Sequence, residues 1–162
     1  MLGVDVDVIK PLFNFLWDML YFITGEGSWK LRPHEQIVLE AVIDHLDVQA
    51  QSVLRSLLRQ KMFIQRSNSR IVRPRFYNPY YARLHLPIDC LHKKTNVYEV
   101  TINVAGHQQR AHVEFFCGEI DSIQFPSHRG YYSEKNVRAV KVSEADPCVT
   151  NAAEIDRDEH GD

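Results

Sequence analysis

The chain has 162 residues, three cysteines and a formal net charge of −2. A chain of this length can bury about two thirds of its unfolded surface, so we expect one domain that needs no disulfide or metal to stay folded. Cys90, Cys117 and Cys148 lack C-x-x-C spacing, which disfavours a disulfide framework and a structural zinc site and favours a cytoplasmic location. The apolar stretch 12–23 is shorter than the roughly 20 residues of a membrane span, so we expect no membrane association.

Charge is distributed unevenly along the chain. Residues 1–47 carry eight acids against three bases, residues 48–88 carry eight bases and no acid, and residues 89–162 carry thirteen acids against eight bases. This basic segment, residues 48–88, either folds against its acidic neighbours or presents a positive surface to a partner. Both alternatives remain open at the level of sequence.

Three helices are predicted in the first 60 residues. The first spans about residues 8–24 and is apolar except for one polar stripe, so it is either a central core helix or a helix that buries its far side in a second copy, forming a homodimer. The second begins at Pro33 and the third is capped by Asp47 and ends near Gln60. The predicted apolar faces of these two helices consist of Ile37, Val38, Ala41, Val42 and Leu46, and of Ala50, Val53, Leu54, Leu57 and Leu58.

Strands follow from residue 62 onward. Alternation predicts strands over 62–66, 70–77 and 81–86, which their prolines restrict to edges or short pieces. The stretch 96–125 alternates apolar and polar residues around two turns and predicts a three-stranded antiparallel meander, and 136–142 adds one more strand.

Helices followed by strands predict an α+β fold in which the N-terminal helices pack on one face of a mainly antiparallel sheet. We expect a single domain over residues 1–142. Residues 143–162 contain seven acids and little apolar surface, which predicts an acidic disordered tail.

Short motifs in this chain resemble those of a loose set of small bacterial proteins without an established activity. They are "VLRSLLRQ" in the third helix, the strand pair "MFIQRSNSRIVRPRFY" and the closing "GEIDSIQFP", all within residues 47–142. The resemblance implies the same α+β fold and assigns no catalytic residue.

Motifs of catalysis and metal binding are absent from the sequence. His85, Cys90 and His92 lack the paired short spacings of zinc sites, so neither a metal nor a cofactor is expected. His112 and Glu114 share a strand face, as an acid/base pair would, although the polar face of an ordinary strand looks the same. We therefore predict no catalytic residues, and a small enzyme with an unrecognised site stays an alternative.

Arginine and tyrosine residues within the basic segment are the predicted binding site. Arginine supplies fork-like donors and tyrosine supplies stacking surface, and both are frequent in protein interfaces and in contacts with unpaired nucleic-acid bases. We expect a non-catalytic module that binds an acidic protein partner, for example a toxin that it neutralises by occlusion, with nucleic acid as the alternative ligand. The predicted binding residues are Arg66, Arg70, Arg73, Arg75, Tyr77, Tyr80, Tyr81 and Arg83.

Overall fold

The computed structural model describes Leu16 and residues 19–24, 26–60, 62–67, 70–76, 95–132 and 136–146. Residues 19–23 are helical, and two longer helices follow, α1 (Pro33–His45) and α2 (Val48–Leu58). The strands are β1 (Gly27–Ser28), β2 (Met62–Ser67), β3 (Ile71–Phe76), β4 (Thr95–Val104), β5 (His107–Phe116), β6 (Glu119–Gln124) and β7 (Val137–Ala145), and a 3₁₀ turn spans Arg129–Tyr131.

The seven strands of the described residues form one antiparallel sheet with the order β1-β2-β3-β6-β5-β4-β7. The helices α1 and α2 contribute to one apolar core with the sheet face that carries Ile64, Val100 and Val113. We call this the inner face, and the opposite one the outer face. The predicted α+β fold with helices on one side of an antiparallel sheet is confirmed.

Each long helix begins where its sequence provides an acceptor for its first backbone N–H groups. Oε2 of Glu35 accepts the N–H of Arg32 at 2.8 Å, and Oδ1 of Asp47 accepts the N–H groups of Gln49 and Ala50 at 2.9 Å each. These caps fix both helix starts close to the predicted positions.

The buried face of α1 is rotated relative to the predicted one. Leu39 and Ile43 are fully buried together with Val38 and Val42, whereas Ile37 and Ala41 are only partly buried. In α2, Ala50, Leu54 and Leu57 are buried as predicted but Val53 is exposed. The rotation of α1 also turns Glu35, one turn before Leu39, toward the core.

Two tight turns connect the predicted meander of β4, β5 and β6. Each has two central residues with positive φ, Ala105 at 51° and Gly106 at 90°, then Cys117 at 49° and Gly118 at 79°. This is the backbone of a two-residue hairpin turn whose twist matches that of the flanking strands. The β4–β5 hairpin consequently pairs in register along its full length, from Thr95 opposite Phe116 to Val104 opposite His107.

The two halves of the sheet meet at a short seam between β3 and β6. Only Ile71 with Gln124 and Val72 with Ile123 are in register there. Pro74 follows on β3 and has no N–H to continue the ladder toward β6. The strands of the basic segment therefore join the meander through a narrow contact.

Some predicted segments differ from the structure or fall outside its description. Strand β7 continues to Ala145, three residues past the predicted strand, because Glu144 and Ala145 still pair with β4. Strand β1 was not predicted, since two residues are too few to show alternation. Most of the predicted first helix, the strand over 81–86 and the tail from residue 147 lie outside the described residues.

Candidate functional site: the arginines of the basic segment

Arg66 lies on the inner face of β2, two residues after Ile64. Its side chain is 3% exposed and that of Glu35 is 0% exposed. The guanidinium donates from Nε to Oε1 and from Nη2 to Oε2 of Glu35, both at 2.7 Å. This is a bidentate ion pair between the first turn of α1 and the strand β2, the geometry for which arginine is best suited.

Two further hydrogen bonds hold the guanidinium of Arg66 inside the protein. Nη1 donates to Oγ of Ser28 at 2.7 Å, and Nη2 donates to the carbonyl of Lys30 at 3.3 Å. The Glu35 carboxylate in turn caps α1 through the N–H of Arg32. The pair thus connects β1, α1 and β2.

This burial argues against the expectation that Arg66 belongs to an exposed binding surface. Period-two alternation places it on the same face as Ile64 and Val72, where it meets the core rather than solvent. Its partner Glu35 comes from the acidic N-terminal flank. Of the two alternatives for the basic segment, Arg66 therefore follows the first, because it pairs with an acid of this same chain.

Three other arginines of the segment lie away from this core. Arg73 and Arg75 are half-buried on the outer face of β3, and Arg70 is exposed at the start of that strand. Nη1 of Arg73 donates to the hydroxyl of Ser67 at 3.2 Å. Within the described part of the chain, neither Arg70 nor Arg73 forms an ion pair.

The other predicted binding residues lie outside the described residues, namely Tyr77, Tyr80, Tyr81 and Arg83. His85, Cys90 and His92 do so as well.

Glu114 is the acid of the outer face that lies in the electrostatic field of Arg73. Burial raises the pKa of Glu114, and the nearby charge of Asp121 raises it further, while a hydrogen bond from Ser122 and the charge of Arg73 oppose this rise. A β-bulge opposite Glu114 and Phe115 inserts Asp121 into β6. Arg73 therefore offsets only part of the negative potential at this point of the sheet.

His112 shares the outer face with Glu114 but interacts with a different acid. Its Nε2 lies 3.7 Å from Oε2 of Glu99 on β4, the same oxygen that Arg110 reaches at 3.5 Å. The hydroxyl of Ser122 lies 3.4 Å from the Glu114 carboxylate. The acid/base pair that the strand pattern suggested is thus replaced by two separate polar contacts.

A second histidine, His34 in the first turn of α1, is buried among aromatic rings and was not singled out by the sequence. It is 4% exposed. Its ring stacks on Tyr132 at 5.0 Å and 27° and meets Phe125 edge-on at 5.2 Å and 79°. Burial is the main cause that lowers the pKa of His34, which favours the neutral ring.

The described end of the predicted first helix has an exposed apolar side. Leu16, Leu20 and Ile23 are spaced at i, i+4 and i+7 and are 55%, 49% and 75% exposed. Such a stripe is compatible with a second copy as its partner, and the predicted homodimer stays a prediction.

The described residues contain no group of three or more His, Cys, Asp or Glu side chains arranged to hold a metal ion. None of the helices in this part of the chain is long and apolar enough to cross a membrane. Cys117 is a free, exposed thiol in the β5–β6 turn.

Comparison with known proteins adds no relative. The chain matches no family model, no curated protein and no solved structure. The resemblance to small bacterial proteins therefore stays a prediction, and the candidate site is defined by its own geometry: Arg70, Arg73 and Arg75 on and beside β3, which we call the arginine face.

Proposed function

We propose that this chain is a non-catalytic, cytoplasmic protein-binding module whose arginine face contacts an acidic surface of a partner protein. Regulation by occlusion, as in toxin neutralisation, is the role that such a contact would serve. The proposal keeps Arg70, Arg73 and Arg75 of the predicted site and omits Arg66, which is buried and forms four hydrogen bonds inside the fold.

One observation carries the proposal: Arg70 and Arg73 form no ion pair within the described part of the chain, in contrast to Arg66. A guanidinium without a carboxylate partner keeps its capacity for bidentate hydrogen bonds to a ligand. The hydroxyl of Ser67 holds Arg73 in place, so less side-chain entropy is lost when a partner carboxylate binds.

The position of Glu114 favours a protein over a nucleic acid as the ligand. This acid lies near Arg73 on the same face and has Asp121 as a charged neighbour, so the two acids would repel a continuous phosphate backbone. A protein partner can instead present its carboxylates only where the arginines lie, with neutral or basic groups opposite Glu114. The mixed charge pattern thereby becomes a source of specificity.

The experiment compares wild type with an Arg70→Ala, Arg73→Ala, Arg75→Ala triple variant in affinity capture, with captured proteins identified by mass spectrometry. The control variant makes the same charge change at exposed residues elsewhere, namely Arg59, Arg138 and Lys141. We expect wild type and control to capture the same acidic protein and the triple variant to lose it. Equal capture by all three chains would refute the proposal.

Retention on single-stranded DNA or RNA distinguishes the nucleic-acid alternative. If these arginines contacted phosphates, each Arg→Ala substitution would flatten the logarithmic salt dependence of binding by about 0.7–0.9. We expect no retention of the wild type at low ionic strength. Retention with that salt slope would replace the proposed protein ligand by a nucleic acid.

A further inference from the structure

The connection between β6 and β7 is packed onto the start of α1 through His34. We call residues 125–132 the connection. Phe125 and Tyr132, at its two ends, both contact the His34 ring, and both are buried at 6% and 2% exposure. The hydroxyl of Tyr132 also donates to Oε1 of Gln109 at 2.7 Å. The connection is therefore closed around one imidazole.

The same connection is bonded to the arginine face. The backbone N–H of Phe125 donates to the carbonyl of Arg70 at 3.0 Å, immediately beyond the seam between β3 and β6. The charge of Arg70 also acts on the Tyr132 hydroxyl. Any displacement of Phe125 and Tyr132 from His34 would consequently move the residue that begins the arginine face.

A proton on His34 would be unfavourable at this place for three reasons. The ring is buried, which disfavours the charged form. It lies in the first turn of α1, where the helix dipole repels a cation. Arg32 and Arg66 add two positive charges nearby.

The groups that could compensate for that proton are already engaged or neutral. Glu35 favours protonation, but its two carboxylate oxygens accept hydrogen bonds from Arg66 and from the N–H of Arg32. Burial raises the pKa of Tyr132 above its usual value, so this hydroxyl stays neutral and supplies no negative charge near neutral pH.

We propose that His34 is a proton-sensitive latch that keeps the connection closed and Arg70 in position when neutral and releases both when protonated. The proposal rests on the proposed function only for its consequence, the regulation of the arginine face by pH. The direction of the pH dependence follows from linkage, because the open state binds the proton more tightly than the closed state. The closed state is therefore favoured above pH 6.5, the ordinary pKa of histidine, and is lost as the pH falls below that value. One pH unit below that value, the weaker proton binding of the closed state shifts the equilibrium toward opening by up to about tenfold.

Hydrogen exchange of the Phe125 and Ser127 amides tests the latch. Both amides are bonded in the closed state, the first to Arg70 and the second to the Tyr132 hydroxyl at 3.3 Å. After correction for intrinsic exchange, we expect their protection in wild type to fall by up to about tenfold between pH 7.5 and pH 5.5. A His34→Phe variant keeps an aromatic ring and should show no such fall.

A matched control and a second variant complete the experiment. His112→Gln removes a half-buried histidine of the outer face and should behave as wild type. If His34→Phe does not fold, His34→Gln serves in its place. Protection that is independent of pH in wild type, or a pH-dependent fall that persists in the His34 variant, would overturn the latch.

The exchange measurement is made on the free chain and is independent of any partner. If the exchange results contradict the latch but the arginine face still captures its partner, the proposed function holds without the latch. If the exchange results support the latch but no partner is captured, the latch holds without the proposed function. With both present, capture of the acidic partner should weaken below pH 6.5 in wild type and not in the His34 variant.

Discussion

Replacing Arg66 by methionine should destabilise the protein more than any substitution on the arginine face. Methionine preserves most of the length of the side chain but removes all donors, which leaves the Glu35 carboxylate buried with the N–H of Arg32 as its remaining described partner. A buried charge without its counter-ion is one of the few mechanisms that give very large mutational effects.

The size of the loss follows from the contacts. Two charged hydrogen bonds of 2.7 Å join Arg66 to Glu35, and such bonds contribute about 1.5–3 kcal/mol each. Breaking a buried pair by removing one partner costs about 3–5 kcal/mol, in agreement with that sum. Since domains are stable by only about 5–15 kcal/mol, Arg66→Met should remove a large fraction of the free energy of unfolding.

Urea unfolding followed by circular dichroism measures the loss. Arg55→Met is the control, because Arg55 and Asp44 form an exposed ion pair with side chains 49% and 68% exposed, which should contribute less than about 1 kcal/mol. The double variant Glu35→Gln, Arg66→Met should be more stable than Arg66→Met alone, because no buried charge remains. A loss below about 1 kcal/mol for Arg66→Met, or a double variant less stable than the single one, would refute this reasoning.

Three further predictions concern other parts of the molecule. Because the pKa of Glu114 is raised, the stability that this group contributes is present below pH 4.5 and is lost as the pH rises. Glu114→Gln should therefore raise the Tm at pH 7 by a few degrees and leave it unchanged at acidic pH. An equal gain in Tm at both pH values would contradict this. Ala105→Asn should stabilise the β4–β5 hairpin by about 0.5–1 kcal/mol in urea unfolding, because asparagine tolerates the positive φ that alanine adopts there at a cost, and no gain would show that the turn is not strained. If the exposed stripe of the first helix mediates a homodimer, light scattering should give a dimer for wild type and a monomer for Leu20→Glu with Ile23→Glu, whereas a strictly monomeric wild type would exclude it.

The fold class was predictable because local patterns determine most of it. Alternation over β4 and β5 fixes which residues face the core, so the meander follows from sequence without long-range information. Its register is set by the two-residue turns, which the structure places at Ala105–Gly106 and Cys117–Gly118. The seam between β3 and β6 joins residues about 50 positions apart in the chain, and no local pattern specifies that pairing.

The role of Arg66 was less accessible, although the sequence contained a signal. Alternation from Met62 through Ile64 places Arg66 on the inner face, and Glu35 precedes Leu39 and Ile43 at the spacing of a buried helix face. Two opposite charges at predicted core positions indicate a buried pair. Composition alone instead assigns every arginine of the segment to one surface. Alternation separates Arg66 from Arg73, and the three-dimensional pairing with Glu35 shows why Arg66 is buried.

The narrow seam between β3 and β6 also bears on how the chain folds. The hairpins within β4, β5 and β6 close short loops, whereas β3 and β6 pair residues about 50 positions apart. This makes their pairing entropically the most demanding of the sheet. We expect the meander to form early and the strands of the basic segment to dock onto it late, with Arg66 meeting Glu35 in the half that docks. Substitutions at Ile71 or Val72 should then lower the folding rate less than they raise the unfolding rate. The contacts of the seam therefore determine the lifetime of the native state.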